Sequence, residues 1–268
     1  MKVTPAVLLV LCVLGLLAPG AVAQEAINTD AALQPPPGTL IYRQQFRYRS
    51  LEAPHGPAEA EMLMLASNFI YGVSERLTLI AGVPLIYREV EPNNGMDDRE
   101  DFGIGDINAL AKFQFYKDNF GIGSTVKGGL LFGAQLPSGD NDFSSDSIDP
   151  ILGAVGTYAK DRHGFSAAAQ YQLNTGGEAD ELRYDLAYTF RLSPASYTEH
   201  DTTSLFGVLE TNGLYETNGD NEVLIAPGIQ YVTQNWTIEA TLQLPISQQV
   251  DNRMQVRWAA GVLVRLRF

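Results

Sequence analysis

The sequence predicts an all-β fold, a transmembrane antiparallel up-and-down β-barrel of about 12 strands. Three observations predict it. Residues 254–268 alternate, with Met254, Val256, Trp258, Ala260, Val262, Val264, Leu266 and Phe268 on one parity and mostly polar, small or cationic residues on the other. Successive side chains of a strand point to opposite faces, so this stretch carries one apolar face from end to end. Eleven further runs precede it from residue 39 onward, most of them clearly alternating. The connectors between runs also alternate in length and charge, as transmembrane barrels require and soluble sandwiches do not.

The chain starts with Met1 and Lys2, continues into an apolar run over 7–18, and breaks at Pro19 and Gly20 before Ala21-Val22-Ala23. Residues 1–23 have the pattern of a secretory signal peptide, with an apolar run too short to cross a bilayer as a helix. Cys12, the one cysteine, falls inside it, so the mature chain is expected to carry no disulfide and no thiol chemistry. Loss of Lys2 takes the 18 basic side chains to 17 against 31 acidic ones, a net charge of −14. That acidity excludes nucleic acid as a partner, since such binding needs a basic footprint. No later stretch is apolar for long enough to form a transmembrane helix.

Residues 24–38 end in Pro35-Pro36-Pro37-Gly38, which favours extended polyproline structure and forbids a helix. A flexible, Pro-rich periplasmic leader is expected here in preference to a plug folded into a lumen. The barrel is expected over 39–268.

The runs follow in order. The first, 39–50, sets Leu40, Tyr42, Phe46 and Tyr48 against Arg43, Gln45, Arg47 and Arg49. The second, 59–71, has ambiguous facing because residues 62–65 are all apolar. In 77–88, Leu77, Leu79, Val83, Leu85 and Tyr87 share a face; in 104–116, Ile107, Ala109, Phe113 and Phe115 oppose Asp106, Asn108, Lys112 and Gln114. The fifth run spans 121–136 with Lys127 on its polar face, and the sixth, 150–159, has no clear facing. Alternation sharpens in 165–174 and in 181–192, where Leu182, Tyr184, Leu186 and Tyr188 oppose Arg183, Asp185 and Arg191. The ninth, 204–213, is weaker and puts Glu210 opposite Leu209. The tenth, 222–232, contains Pro227, expected at a bulge or unpaired position. In 236–244, Trp236, Ile238 and Leu242 oppose Thr237, Glu239 and Gln243, and the last strand completes the set.

Connectors centred on 51–58, 89–103, 137–149, 175–180, 214–221 and 245–253 are the longer, acidic ones, whereas 72–76, 117–120, 160–164 and 233–235 are short, with 193–203 as the exception. Long connectors outside and short ones inside, with an even strand count, put both ends of the barrel in the periplasm. The alternative is a secreted β-sandwich or soluble barrel. Aromatics near the ends of apolar faces, such as Tyr42, Tyr48, Tyr188, Trp236 and Trp258, count against it, because they form the girdles of a membrane protein. The arginines on the opposing faces also suit a wet lumen better than a dry core.

Several segments carry a family resemblance. Phe102-Gly103-Ile104-Gly105-Asp106-Ile107, Gln135-Leu136-Pro137-Ser138-Gly139-Asp140 and Ala226-Pro227-Gly228-Ile229 sit in order on successive strands. With Tyr71-Gly72-Val73-Ser74-Glu75-Arg76-Leu77 before them and Arg265-Leu266-Arg267-Phe268 at the end, the chain resembles the transporter family named for the MetA pathway of phenol degradation. The resemblance implies a barrel of the bacterial outer membrane that assists uptake of small compounds, aromatic ones among them. It carries no residue-level site. The terminal strand ending in Phe268 also resembles the signal read by the barrel-assembly machinery. Outer-membrane lipid, lipopolysaccharide and small solutes are the other expected partners.

Chemistry is sparse. His55, His163 and His200 each fall in a connector, and Ser166 near His163 has no third group to complete a catalytic set, so no enzyme, cofactor or metal site is expected. The acidic stretches 89–101 and 140–149 read as solvated surface; Asp140-Asn141-Asp142 lacks the rest of a calcium-loop pattern. The basic residues are more telling. If the first and last strands pair, Arg43, Arg47 and Arg49 lie beside Arg257, Arg265 and Arg267 as a cationic stripe. Lys112, Lys127, Arg183 and Arg191 then line the lumen elsewhere, with Asp106, Asp185, Glu210 and Glu239 as counter-charges. A salt-bridge network that plugs a narrow barrel and a selective pore both stay open, since charge rings tune which ions pass. The expected function is passive diffusion or uptake of small solutes. The alternatives are a non-transporting structural or surface-interaction barrel and, behind it, a membrane-embedded enzyme.

Overall fold

The computed structural model describes residues 25–92, 98–121, 124–198 and 201–268. The expected signal peptide over 1–23 lies outside them, as do Asp97 and His200. Thirteen strands form among the described residues: β1 (Leu40–Glu52), β2 (Glu59–Gly72), β3 (Leu77–Glu91), β4 (Arg99–Ile104), β5 (Ile107–Gly121), β6 (Ser124–Leu136) and β7 (Asp149–Lys160). They continue with β8 (His163–Gln172), β9 (Glu181–Ser193), β10 (Ser204–Glu216), β11 (Asn221–Val232), β12 (Trp236–Gln249) and β13 (Gln255–Arg267). Every pairing is antiparallel, and β1 pairs with both β2 and β13, which closes the sheet into a barrel.

Strands β4 and β5 occupy one position in that ring. Ile104 pairs with Leu85 and Asn108 with Gly82, so four steps of chain match three on β3. The extra residue is a bulge at Gly105-Asp106, and the barrel has 12 strand positions, as expected. The expected connector over 89–103 is corrected: β3 continues to Glu91 and chain is again paired from Arg99, so most of that acidic stretch is a hairpin. Pro227 sits in a gap of the β11–β12 ladder, between the pairs Ile225↔Leu244 and Gly228↔Thr241.

A strand of 13 residues is roughly 43 Å long and, tilted by about 40°, rises about 33 Å, close to the roughly 30 Å hydrocarbon thickness of a bilayer. Its outer face is apolar, with Leu186 at mid-strand 62% exposed and Leu152, nearer the long-connector end, 64% exposed. Exposure of such side chains around a closed barrel is unfavourable in water and natural in lipid. Aromatic clusters ring the two ends. Tyr42–Phe69, Tyr231–Trp236 and Phe165–Tyr188 flank the short-turn end, and Tyr48–Trp258, with ring centroids 4.9 Å apart, flanks the other. The runs with unclear facing are settled: Met62 and Met64 share the inner face with Arg49 and Arg47, and Ile151, Val155 and Thr157 face inward on β7.

Carboxylates pin the loops of the long-connector end. At the bulge, Asp106 accepts hydrogen bonds from the amides of Ser138 (3.0 Å), Gly139 (2.9 Å) and Ser145 (2.8 Å), which folds the loop after β6 back onto the wall. In the turn between β10 and β11, buried Asp220 accepts from the amides of Asp251 (2.9 Å) and Asn252 (3.0 Å) and fixes the loop before β13. Burial alone would push the Asp220 carboxyl up, but those amides, the Asn252 side chain and the Arg253 charge bring it below the usual carboxylate range. A carboxyl more acidic folded than unfolded contributes fully above the unfolded value of about 4, and the contribution is lost as pH falls through the lower folded value. Asp220→Ala leaves two amides unsatisfied and is expected to destabilise this loop by about 1–3 kcal/mol. Tryptic cleavage after Arg253 should then be faster than in the parent at neutral pH, where the Asp220 contribution is fully present; cleavage at the parent's rate would count against this role.

Candidate functional site

Inside the barrel the wall carries the charged and polar side chains, and the segment 25–37 runs among them. Its attachments go almost all the way round. Glu25 pairs with Arg265 of β13, whose Nη2 also donates to the Ala26 carbonyl at 2.9 Å. Arg43 of β1 donates to the Ile27 carbonyl. Glu210 of β10 accepts the amides of Asn28 (2.9 Å) and Thr29 (2.9 Å), and Gln170 of β8 donates to Asp30. On the far wall, Lys112 Nζ and Gln114 Nε2 of β5 donate to the carbonyls of Ala31 (2.8 Å) and Ala32 (2.9 Å), while the Ala32 amide donates to Thr157 Oγ1 of β7 at 2.9 Å. Thr78 of β3 then bonds Gln34, and the Gly38 amide donates to the Gly72 carbonyl at 2.7 Å before β1 begins. A Cβ at Gly72 would collide with the carbonyls of Pro35 and Pro36, so glycine there admits the turn.

This corrects the expectation of a flexible periplasmic leader for residues 25–37: they lie in the lumen, the plug arrangement that the sequence made second choice. The reason is backbone accounting. A segment without secondary structure leaves its amides and carbonyls unpaired, and buried ones need partners. The wall supplies them with side chains, and two small apolar contacts add to the hold. Ile27 packs with Val208 and Leu263, and Ala32 with Leu131, Val155 and Ala168.

The strongest charge node lies beside the entry of this segment. Glu239, fully buried on β12, accepts from Gln230 Nε2 (2.6 Å), Arg265 Nη2 (2.6 Å) and Nε (3.1 Å), and Arg43 Nη2 (3.2 Å). Such charge-assisted bonds hold only if every member is matched, because a charge left alone in a poorly solvated site is strongly unfavourable.

The first and last strands do pair, and Arg43 faces Arg265 in register. Arg47 and Arg49 lie higher on the same inner face, opposite Gly261 and Ala259, and Arg267 sits at the short-turn end beside Ile41. Arg257 departs from the expected stripe. The β1–β13 register slips between Ser50 and Leu51, so Val256 turns inward and Arg257 turns to the rim, where it meets Glu52 (3.5 Å) and Glu59 (3.1 Å). Lys112 is taken by the N-terminal segment, and Lys127 faces Thr157 across the β6–β7 pair. Among the described residues Arg183 has only Glu181 as an ion-pair partner, at 3.8 Å, whereas Arg191 is buried under the Tyr197 ring at 3.9 Å, at the short-turn end. Of the expected counter-charges, Glu239 and Glu210 hold the arginines and the segment, Asp185 accepts from Asn212 (2.9 Å), and Asp106 holds a loop rather than a base.

Sequence reasoning missed residues that hold the segment, among them Thr78, Gln114, Thr157 and Gln170. Their parity places them inside, but nothing local marks what they would bind. His55 meets Asp251 at 3.2 Å in solvent. His163 bonds Tyr188 on the outer face, while Ser166 faces Thr157 in the lumen, so the two are on opposite sides of the wall. Asp140 and Asp149 accept protein donors, from the Ile104 amide (2.8 Å) and the Ser147 hydroxyl (2.7 Å). No group of three or more metal-ligating side chains comes together among the described residues.

The family model described as "Putative MetA-pathway of phenol degradation" matches residues 56–259. No curated protein sequence matches the chain. In structure the chain is similar to an outer membrane channel from Pseudomonas putida F1, with a TM-score of 0.62 and 12% identity over 90% of this chain and 100% of that one. It is also similar to the β domain of the Bordetella autotransporter Brka, with a TM-score of 0.52 and 11% identity over 86% of this chain and 100% of that one. At such identities the likeness is one of fold. With the apolar belt and its aromatic girdles, that fold places the barrel in a bacterial outer membrane.

Glu239→Gln removes the charge that Arg43 and Arg265 share and is expected to destabilise the barrel by about 3–5 kcal/mol. The urea midpoint of the barrel in lipid vesicles should drop accordingly. A midpoint equal to the parent's would show that the two arginines are neutralised elsewhere.

Proposed function

This chain belongs to the MetA-pathway phenol-degradation family, and on that basis we propose that it is a passive outer-membrane channel for small solutes, narrowed by its own N-terminal segment. The observation that carries this is the character of the attachment. Segment 25–37 is held mainly by single hydrogen bonds and ion pairs to polar wall residues on eight strands, not by a continuous apolar core. Polar walls of this kind stay hydrated, and hydrated gaps pass small solutes. A solved structure of the same fold is described as an outer membrane channel, and the family description names phenol degradation. Small aromatic compounds are therefore the first solutes to examine. The function is transport rather than catalysis.

The completeness of the circuit made by 25–37 favours a second reading, a barrel that does not conduct and serves as a structural or surface-interaction protein. Liposome swelling separates the two. The full chain is expected to admit glycine, arabinose and phenol slowly, and a variant lacking residues 25–34 about tenfold faster, in proportion to the widened path. No swelling with either protein would reject the channel and leave the second reading; equal rates would reject the narrowing role of the segment.

The same proposal includes export by the segment 1–23 and insertion by the barrel-assembly machinery, which reads the last strand. Phe268 is exposed at the short-turn end, and its amide donates to the Leu40 carbonyl at 2.8 Å. Deletion of Phe268 is expected to lower the folded, heat-modifiable form in outer-membrane fractions several-fold. Undiminished levels would remove this residue from the assembly signal. The acidic rim on the other side would meet lipopolysaccharide through divalent cations.

A further inference from the structure

We infer that Arg47 and Arg49 of β1, with Met62 and Met64 of β2, form a binding subsite for small organic carboxylates that have an apolar body. The inference rests on the channel reading only in that the outer mouth must admit the ligand.

The inner face of β1 carries arginine at three positions with different fates. Arg43 is consumed by Glu239 and the Ile27 carbonyl. Arg47 Nε donates to Gln45 at 2.8 Å, and Arg49 has no hydrogen bond to a described residue. Among the described residues, neither has a carboxylate within ion-pair distance. The flanking strands explain why. Arg47 lies between Met64 and Gly261, and Arg49 between Met62 and Ala259, so no neighbour in register is acidic.

The carboxylates that act most strongly on these two guanidinium groups belong to Glu210, Glu222 and Glu181. Each has another partner. Glu210 holds the amides of Asn28 and Thr29. Glu222 accepts from Gln248 at 2.7 Å and faces Arg253 at 3.5 Å. Glu181 lies beside Arg183. Arg183 itself acts on both Arg47 and Arg49, which raises the local positive charge further. Unmatched cations in a partly buried wall are a standing demand for an anion.

The shape of the demand follows from the residue types. A guanidinium offers a planar fork of donors that fits a carboxylate with two parallel bonds. Methionine side chains are flexible and polarisable, and pack well on apolar or aromatic bodies. Met62 also packs against the buried cluster of Leu51, Leu224 and Val256, so the wall above the arginines is apolar. Arg49 is six residues nearer the long-loop end than Arg43, roughly 20 Å along the strand, so a ligand arriving from outside meets this subsite before the N-terminal segment.

Benzoate is the probe, with acetate lacking the apolar body and benzyl alcohol lacking the charge. Calorimetric titration of the full-length barrel in detergent is expected to show saturable benzoate binding, with acetate and benzyl alcohol each weaker by about tenfold. Arg47→Gln/Arg49→Gln should weaken benzoate by at least about tenfold, Arg47→Lys/Arg49→Lys by less because charge remains without the fork, and Met62→Ala/Met64→Ala should narrow the gap between benzoate and acetate. Heat-modifiable gel migration reports whether each variant is folded, and the lysine pair tests the site if the glutamine pair is not. Absence of benzoate binding, benzyl alcohol binding as tightly as benzoate, or full binding by a folded glutamine pair would each overturn the subsite. Liposome swelling run in parallel keeps the two claims apart: binding without permeation rejects the channel and leaves the subsite, and permeation without binding does the reverse.

Discussion

The structure depends on one constraint, that no backbone polar group may face hydrocarbon without a partner. An open sheet would fail at its two edges, and the seam between β1 and β13 removes both. Its rungs run from Ile41↔Arg267 to Glu52↔Gln255, and Leu40 and Phe268 exchange amide and carbonyl bonds at its foot. Once the ladder is closed, the outer face can be apolar throughout, and every charge the strands carry is driven to the inside or to the rims. The −13 net charge and the apolar belt thus coexist on one sheet because alternate residues face different solvents.

One device then recurs inside and at the mouth. A buried carboxylate gathers backbone amides from a segment that has no ladder of its own. Glu210 does this for Asn28 and Thr29, Asp106 for Ser138, Gly139 and Ser145, and Asp220 for Asp251 and Asn252. Asp149 joins them through the Thr175 amide at 2.8 Å. Part of the acidity that looks like surface solvation in the sequence, Asp140 and Asp149 in the stretch 140–149, is therefore spent on fastening backbone amides.

The sequence carries the strand pattern well because facing is a local property with a period of two. Glu210 opposite Leu209, or Glu239 opposite Ile238, needs no knowledge of the partner strand. Arg257 fails for a reason the period cannot reveal: a single-residue slip in register reverses the facing beyond it. Gly105-Asp106 is a similar slip about a quarter of the way round the ring, and it makes two strands of one. The N-terminal segment was harder still. Its partners lie up to 240 residues away, between Glu25 and Arg265, and three prolines in a row describe its conformation without saying where it lies. The free arginines show the same limit, since Arg43, Arg47 and Arg49 look alike in sequence and are told apart only by which carboxylates the closed barrel brings near.

The position of the N-terminal segment has a topological consequence. It immediately precedes β1, and β1 is the strand that meets the last one to be synthesised. Until that seam forms, the chain has no interior, and Arg265, Glu239 and Glu210 cannot surround anything. The segment therefore cannot be housed before the ring shuts, and each bond that holds it waits on the seam. A fault in the pairing of β1 with β13 would thus empty the lumen as well as open the wall, although the two lie on different faces of the sheet.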